Sequence, residues 1–437
     1  MKYKKILAIL LVAIVLAIFL PNVNVFAQDS AEPKVYSEAA LLIDSNTGKI
    51  LFSKNENEKK YPASTTKILT AILAIENCNL DDVVTVDYDS IMQVPAGYTV
   101  AALQVGEQLT VKQLLQVMLI HSANDAANVL AKHVGGSMES FESMMNSKLS
   151  EIGCENSHFT NPSGKHDNNH YTTAVDLAKI MNYCIKNDTF KEISSSKYCI
   201  IPATNKYEER MFTNSNELLV KDTREISSNY YYPYVIAGKT GYTAEAKNCL
   251  VSVAKKDDLQ LICVVLGGVR TDDGLSARFV DSKNLFEYGY NNFILKKIRD
   301  TGSIAKQIEV PKATKDTKDL DLITTNEIIA LINQNNLDKE FEPEITLNNN
   351  IEAPITEGDT IGKLTYNIEG IEYTTNLVAS HSVKKDNSLF FFIQLILIGI
   401  ILYLLYKFLF MNNNQRKTKI KNKYNFNYLK NFKNFKK

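Results

Sequence analysis

The chain has 437 residues, 45% of them hydrophobic and 22% charged, enough apolar material for two domains with separate cores. Its formal charge of zero hides a segregation: all 49 acidic residues lie between Asp29 and Asp386, and the two ends carry only basic ones, so the central part is acidic by 13 charges. That balance, with no basic stripe and no interleaved aromatics, argues against nucleic acid as a partner, and six cysteines without a Cys-x-x-Cys pair argue against a disulfide framework or a zinc site.

The chain opens with Lys2, Lys4 and Lys5, an apolar run over 6–20, and Val25-Phe26-Ala27. This pattern reads as a secretory signal over 1–27, cut after Ala27, with an uncleaved anchor as the alternative. Residues 36–43 read as a strand, Asp44 to Gly48 as a turn and 49–52 as the return strand. Pro62 then precedes a helix over 64–76 with Ile68, Leu69, Ile72, Leu73 and Ile75 on its buried side. Thr110-Val111-Lys112-Gln113 is a capping-box pattern that opens a helix over 111–120, and a further helix over 124–133 is stopped by Gly135-Gly136. Ser122 therefore falls in a tight break between two helices. Helices over 138–151, closed by Gly153, and 173–186, opened by Thr173 and Asp176, follow.

The pattern then turns to strands over 235–240, 249–254 and 259–267, with a hairpin turn at 255–258 and a closing helix over 279–290. A first strand, a helical middle and a strand-rich finish predict an α+β fold, an antiparallel sheet with a helical cluster, over a first domain of residues 28–297. Cys249 and Cys263 fall on neighbouring strands, where they could pair or remain two buried free thiols. Short alternating runs at 307–310, 344–347, 361–368 and 371–378 predict a small β-rich domain over 298–383, a spacer or docking module with no catalytic constellation. Residues 389–410 are apolar apart from Gln394 and Lys407, long enough to cross a bilayer as a helix. The basic tail over 411–437, disordered or lying on the membrane surface, then places that end in the cytoplasm and the acidic body outside the membrane.

Three motifs occur in one order: Ser64-Thr65-Thr66-Lys67, Ser122-Ala123-Asn124 and Lys239-Thr240-Gly241. Each is cheap alone; Ser-x-x-Lys also begins at Ser194, Ser252, Ser303 and Ser382. Together they describe a serine acyl-transfer site in which lysine handles the proton. Ser64 and Lys67 share one helix face, one turn apart. A lysine whose pKa is depressed by burial, a second cation and a helix N-terminus can take the hydroxyl proton. Ser64, in the first turn, also offers a backbone N–H to an oxyanion. At the break between helices, Ser122 can relay a proton to a leaving amine, and the Asn124 carboxamide can hold a substrate amide. Lys239 ends a buried strand, where it needs an anion; Thr240 can bond the same anion, and Gly241 lets a peptide approach as an added strand. Taken singly, the first two motifs read more plainly as capping or solvated residues, and the third as a strand end running into a turn. His121, with no matched acid, reads as structural.

These motifs resemble those of the penicillin-recognising serine enzymes, and their order and spacing are most similar to the low-molecular-mass D-alanyl-D-alanine carboxypeptidases of the penicillin-binding protein five type. The likeness extends to Val105-Gly106-Glu107, to Ser122-Ala123-Asn124-Asp125-Ala126, and to Phe159 through Gly164 followed by His170-Tyr171-Thr172-Thr173. It implies a β-lactamase/transpeptidase-like fold over about 35–295, with a second domain beyond. It also implies that Ser64 is the acyl nucleophile, Lys67 its base and Ser122 the proton shuttle. Asn124 would position the peptide, Lys239 and Thr240 would bind the terminal carboxylate, and the N–H groups of Ser64 and Tyr242 would form the oxyanion hole. The implied substrates are peptidoglycan stem peptides ending in D-Ala-D-Ala, the implied covalent inhibitors are β-lactams, and no metal or organic cofactor is implied. Members held by a surface-lying amphipathic helix differ from this chain, whose apolar segment reads as a true span. A class A β-lactamase is the nearest enzymatic rival, but the chain has Ser-Ala-Asn for Ser-Asp-Asn and Asn161-Pro162 where a Glu would be sought. A β-lactam sensor lacks its cytoplasmic effector domain here, and a structural wall protein would have no need of complete motifs.

Overall fold

A computed structural model describes residues 32–221 and 230–432. The signal-sequence reading of 1–27 lies outside the described residues. The described chain forms two compact units. The first runs up to Leu295 and also takes Leu331–Lys339; the second takes Lys296–Ala330 and the chain from Glu340 on.

The first unit is built on five antiparallel strands: β1 (Ala39–Asp44), β2 (Ile50–Lys54), β3 (Val235–Thr243), β4 (Lys247–Lys256) and β5 (Leu259–Gly268), in the order β2–β1–β5–β4–β3. The strand carrying Lys239 is thus at one edge of the sheet. Both faces of the sheet are buried, which is why the central strands read as unbroken apolar runs. Leu41, Ile43, Val251, Val264 and Leu266 face a large helical cluster, whereas Ala40, Leu42, Leu250, Leu261 and Val265 face a smaller core with Phe279, Leu285 and Phe286. Cys249 belongs to the first core and Cys263 to the second, so the two thiols point to opposite faces and both are free.

The helical cluster comprises α1 (Lys67–Asn77), α2 (Val111–Gln116), α3 (Asn124–Gly135), α4 (Met138–Ile152), α5 (Ala174–Cys184) and α6 (Asp188–Ser195); α7 (Ala277–Asn292) covers the other face. Helix α1 buries every residue from Lys67 to Ala74 and is the axle of the cluster. The start signals read from the sequence act as capping bonds. Thr110 Oγ1 accepts from Gln113 N while the Gln113 carboxamide accepts from Thr110 N, and the Thr173 side chain accepts from Asp176 N. Gly153 closes α4 in the left-handed conformation. Helix α1 begins later than its pattern suggests, because residues Ala63–Thr66 form a 3-10 turn ahead of it.

The second unit holds a five-stranded antiparallel sheet in the order Ile304–Glu309, Asp319–Thr324, Ile371–Ala379, Thr360–Ile368, Glu344–Leu347. The strand Asp319–Thr324 was not evident in the sequence, although its faces alternate between exposed or half-buried and buried. A helix Ser388–Phe432 follows. Its first 23 residues, Ser388–Phe410, are long and apolar enough to cross a membrane and are fully exposed. The helical backbone continues into the basic tail, where neither proline nor glycine interrupts 411–432.

Candidate active site

The three motifs meet at one cleft of about 440 Å3 in the first unit, lined among others by Ser64, Ser122, Asn124, Thr240, Gly241 and Tyr242. Each arrives on a local structure that its neighbours require. Ser64 sits in the 3-10 turn, which puts residues three apart in line. Ala63, just before it, has a left-handed φ of 47°. Two glycines make room for this turn. A Cβ on Gly164 would lie 1.8 Å from the Ala63 carbonyl oxygen, and one on Gly241 would lie 3.0 Å from Ser64 N. Gly241 is thus the point at which the edge strand β3 runs against the Ser64 turn.

Ser122 terminates a stretch of π-helix, Val117–His121, that continues α2. Such a widened turn carries an extra residue and commonly marks a functional site. Ser122 itself is left-handed, with φ 69° and ψ 27°, and α3 restarts at Asn124. This is the break expected between the two helices, and it turns Ser122 into the cleft. Asn124 is held by its own backbone N–H and its Nδ2, both donating to the Thr99 carbonyl at 2.9 Å. The adjacent Asp125 accepts from Ala101 N and Leu103 N, each at 3.0 Å. Together these contacts fasten the 99–103 segment, whose Thr99 lines the cleft, to the start of α3.

Lys67 is completely buried. Its Nζ lies 2.8 Å from Ser64 Oγ, 2.8 Å from Asn124 Oδ1 and 2.7 Å from the Ser163 carbonyl. Burial, reinforced by the charge of Lys239, holds its pKa well below the ordinary lysine value; Asp125 opposes the shift. A neutral amine has two N–H donors, matching the two carbonyl-type oxygens, and one lone pair, which then faces the Ser64 hydroxyl.

Lys239 is also buried, with Nζ 3.0 Å from the Thr240 carbonyl. Burial and the Arg278 guanidinium lower its pKa to about 7. Arg278, from the first turn of α7, donates to the Gly241 carbonyl at 3.3 Å, lies over Phe279 and lines the cleft. Its buried Nε has no partner among the described residues. Thr240 Oγ1 is 2.6 Å from Ser215 Oγ. The Tyr242 side chain is 65% exposed at the cleft edge. His121 packs its ring 5.0 Å from Phe212 and lines the same cleft.

All eight candidate residues come together. The sequence reading missed three others. Arg278 and Ser215 stand in no motif and reach the cleft only through the fold. His170 was noticed only within a family-like stretch; it packs behind the Ser64 turn, with Nε2 2.8 Å from Thr66 Oγ1. Asn161 does not face the cleft as a water-activating group. Its Oδ1 accepts from Gly164 N at 2.8 Å and Lys165 N at 2.9 Å, so its side chain shapes the loop. No cluster of three or more His, Cys, Asp or Glu side chains able to hold a metal occurs among the described residues.

This antiparallel sheet with helices on both faces, carrying a buried lysine against a serine on a 3-10 turn, is matched among the penicillin-binding serine enzymes. The D-alanyl-D-alanine carboxypeptidase family matches residues 26–270, and the C-terminal domain family of penicillin-binding protein 5 matches residues 293–385. D-alanyl-D-alanine carboxypeptidase DacF of Bacillus subtilis is 30% identical over 402 residues, covering 90% of this chain and 97% of its own. D-alanyl-D-alanine carboxypeptidase DacA of Haemophilus influenzae is 28% identical over 77% of this chain and 82% of its own. The crystal structure of penicillin binding protein 5 from Haemophilus influenzae superposes with a TM-score of 0.63 and 27% identity, covering 81% of this chain and 99% of that one. The chain belongs to the D-alanyl-D-alanine carboxypeptidase family and is a serine-type DD-carboxypeptidase of the penicillin-binding protein 5 type.

Proposed function

We propose that the enzyme is a membrane-anchored, extracytoplasmic carboxypeptidase that removes the terminal D-alanine of peptidoglycan stem peptides through an acyl-enzyme on Ser64. The observation that carries this reading is the buried Lys67 Nζ at 2.8 Å from Ser64 Oγ, beside an edge strand bearing Lys239 and Thr240. The substrate lies along β3 as an added strand, its carboxylate at Lys239, Thr240 and Arg278 and its reactive carbonyl above the N–H groups of Ser64 and Tyr242.

Ser64 Oγ attacks the carbonyl of the penultimate D-alanine and gives its proton to Lys67 Nζ. The charge that develops on the carbonyl oxygen is met by the two N–H groups. As the C–N bond breaks, the proton passes from Lys67 through Ser122 to the departing amine, and free D-alanine leaves. Water, giving a proton to the same lysine, then attacks the Ser64 ester, and the lysine returns that proton to the departing Ser64 Oγ. Asn124 binds the substrate amide while holding Lys67 in register. A β-lactam enters the same path, but its ring-opened amine stays tethered, so it persists as a covalent inhibitor. In this reading a signal over 1–27, a span over 389–410 and a cytoplasmic tail over 411–437 leave the chemistry outside the membrane, with 298–383 as a spacer or docking domain.

The test is D-alanine release from diacetyl-L-Lys-D-Ala-D-Ala by the full chain in detergent, beside Ser64→Ala. Release that is lost in the variant, together with loss of labelling by a fluorescent penicillin, is the expected result. Undiminished release by Ser64→Ala would remove the acyl-enzyme from the mechanism.

A further inference from the structure

His170 touches neither the cleft nor any motif residue except Thr66, yet its hydrogen bonding is fully directed. The ring is 2% exposed and stacks on Phe159, with centroids 4.7 Å apart and planes within 1°. Nδ1 accepts from the Thr160 backbone N–H at 3.0 Å. A ring nitrogen that accepts from a peptide N–H carries no hydrogen, so the hydrogen of the neutral ring is on Nε2. Nε2 faces Thr66 Oγ1 at 2.8 Å, and Thr66 Oγ1 in turn donates to the Ala63 carbonyl at 2.8 Å. The chain therefore runs one way, from imidazole N–H to hydroxyl to the peptide carbonyl immediately before Ser64. Burial supports the neutral form, lowering the pKa of His170 to about 3.

The acceptor at the end of this chain is not an ordinary carbonyl. Ala63 is left-handed, a conformation an alanine does not hold without help. Its carbonyl is hemmed in by Gly164 on one side and bonded by Thr66 on the other. The orientation of this peptide fixes both the Ser64 N–H, one of the two oxyanion donors, and the direction of Ser64 Oγ toward Lys67.

We propose that His170 is a positioning residue for acyl transfer: acting through Thr66, it holds the Ala63–Ser64 peptide in the attacking geometry. This rests on Ser64 being the nucleophile. The carboxylate contacts at Lys239 and Thr240 are not part of the chain of bonds, so its loss lowers the rate of acylation and leaves ground-state binding in place.

The test compares full-length wild type, Thr66→Val, His170→Phe, His170→Gln and the double variant Thr66→Val/His170→Phe in detergent. The readouts are kcat and KM for D-alanine release, the rate of acylation by a fluorescent penicillin, and thermal melting. Thr66→Val and His170→Phe are each expected to lower kcat and acylation about 10- to 100-fold with KM nearly unchanged, the cost of a small misplacement of reacting atoms. The double variant should be no slower than the slower single one, because both break the same chain. His170→Gln, whose amide can still donate to Thr66, should recover part of the rate. Wild-type kcat in a folded Thr66→Val, or losses that multiply in the double variant, would overturn the proposal. Thr66→Val alone decides it if His170→Phe does not fold. Undiminished D-alanine release by Ser64→Ala brings down the nucleophile itself, a result that no His170 variant can imitate.

Discussion

Two buried lysines stand behind the cleft lining, Lys67 against Ser64 and Lys239 beside Thr240. In the proposed mechanism Lys67 is neutral to take a proton, whereas Lys239 is charged to hold a carboxylate. Lys239 has a pKa of about 7 in the free protein, against an ordinary 10.5, because burial and Arg278 disfavour its ammonium form. The unfolded chain therefore binds a proton between about pH 7 and 10.5 that the folded chain does not. In that window folding gains from this group as pH rises, and below it the folded state bears the full cost of a buried charge. A bound carboxylate reverses the preference. Peptide binding to Ser64→Ala should draw up a proton above pH 7, and affinity should fall as pH rises through and beyond about 7. Calorimetry in two buffers of different ionisation enthalpy measures both; a Kd that is flat on either side of pH 7 with no proton uptake would count against Lys239 as the carboxylate partner. The motif residues were legible because each needs a particular side chain at a fixed local spacing. Arg278 and Ser215 were not, since α7 and the segment after Arg210–Thr213 reach the cleft only when the chain has folded. No local pattern encodes that arrival.

At the scale of elements, the ends of helices were more legible than the turn that matters most. Thr110, Thr173 and Gly153 announce their caps because capping is a contact within four residues. The 3-10 turn at Ala63–Thr66 depends instead on Gly164, a hundred residues away, and nothing near Ser64 in the sequence reports it. The 161–165 loop is braced on α1 by Thr70 Oγ1 donating to the Pro162 carbonyl at 2.7 Å and by Lys67 reaching the Ser163 carbonyl. Gly164 is left-handed at φ 78°, and a Cβ there would overlap the Ala63 carbonyl oxygen. The backbone must move if Gly164→Ala is to fold. We expect this variant to lose more than about 3 kcal/mol of stability, combining the left-handed penalty with displacement of packed backbone. Whatever folds should acylate slowly, because the displaced atom is the carbonyl before Ser64. Denaturant unfolding and penicillin labelling of the same sample check both; a variant with wild-type stability and labelling would show that the loop yields freely. The missed strand Asp319–Thr324 failed for a different reason. Aspartates at alternate positions lower its strand propensity, but they fall on the outward side while Leu320, Leu322 and Thr324 turn in.

For the whole molecule, the segregation of charge and the helix Ser388–Phe432 pose one question: what holds this catalyst near its substrate. Of the 23 residues Ser388–Phe410, 17 are Leu, Ile or Phe. At about 0.3–0.6 kcal/mol each, their insertion into a bilayer is worth roughly 5–10 kcal/mol, against at most about 3.5 kcal/mol for Lys407, which lies near the end and can reach the interface. The balance favours insertion, and in the proposed topology the basic tail beyond 411 faces the cytoplasm. The β-rich unit closes before the helix begins. Ile355 pairs with Val383, Ala313 with Lys385, and Asp386 N donates to the Lys312 carbonyl at 2.7 Å. A chain ending at Asp386 therefore keeps every one of these backbone pairs, whereas one ending at residue 383 cuts the last two. Expressed in a bacterial host, the full chain should stay in the membrane pellet through alkaline carbonate, and the chain ending at Asp386 should be released in soluble form. The released protein should cleave diacetyl-L-Lys-D-Ala-D-Ala with the kcat of the detergent-extracted enzyme, because the cleft is formed within the first unit. On intact cell wall it should be slower, having lost its confinement to the surface. Carbonate extraction of the full chain would contradict a spanning helix. Membrane retention of the shortened chain would move the anchor to the N-terminal apolar run, the reading in which residues 1–27 are not removed.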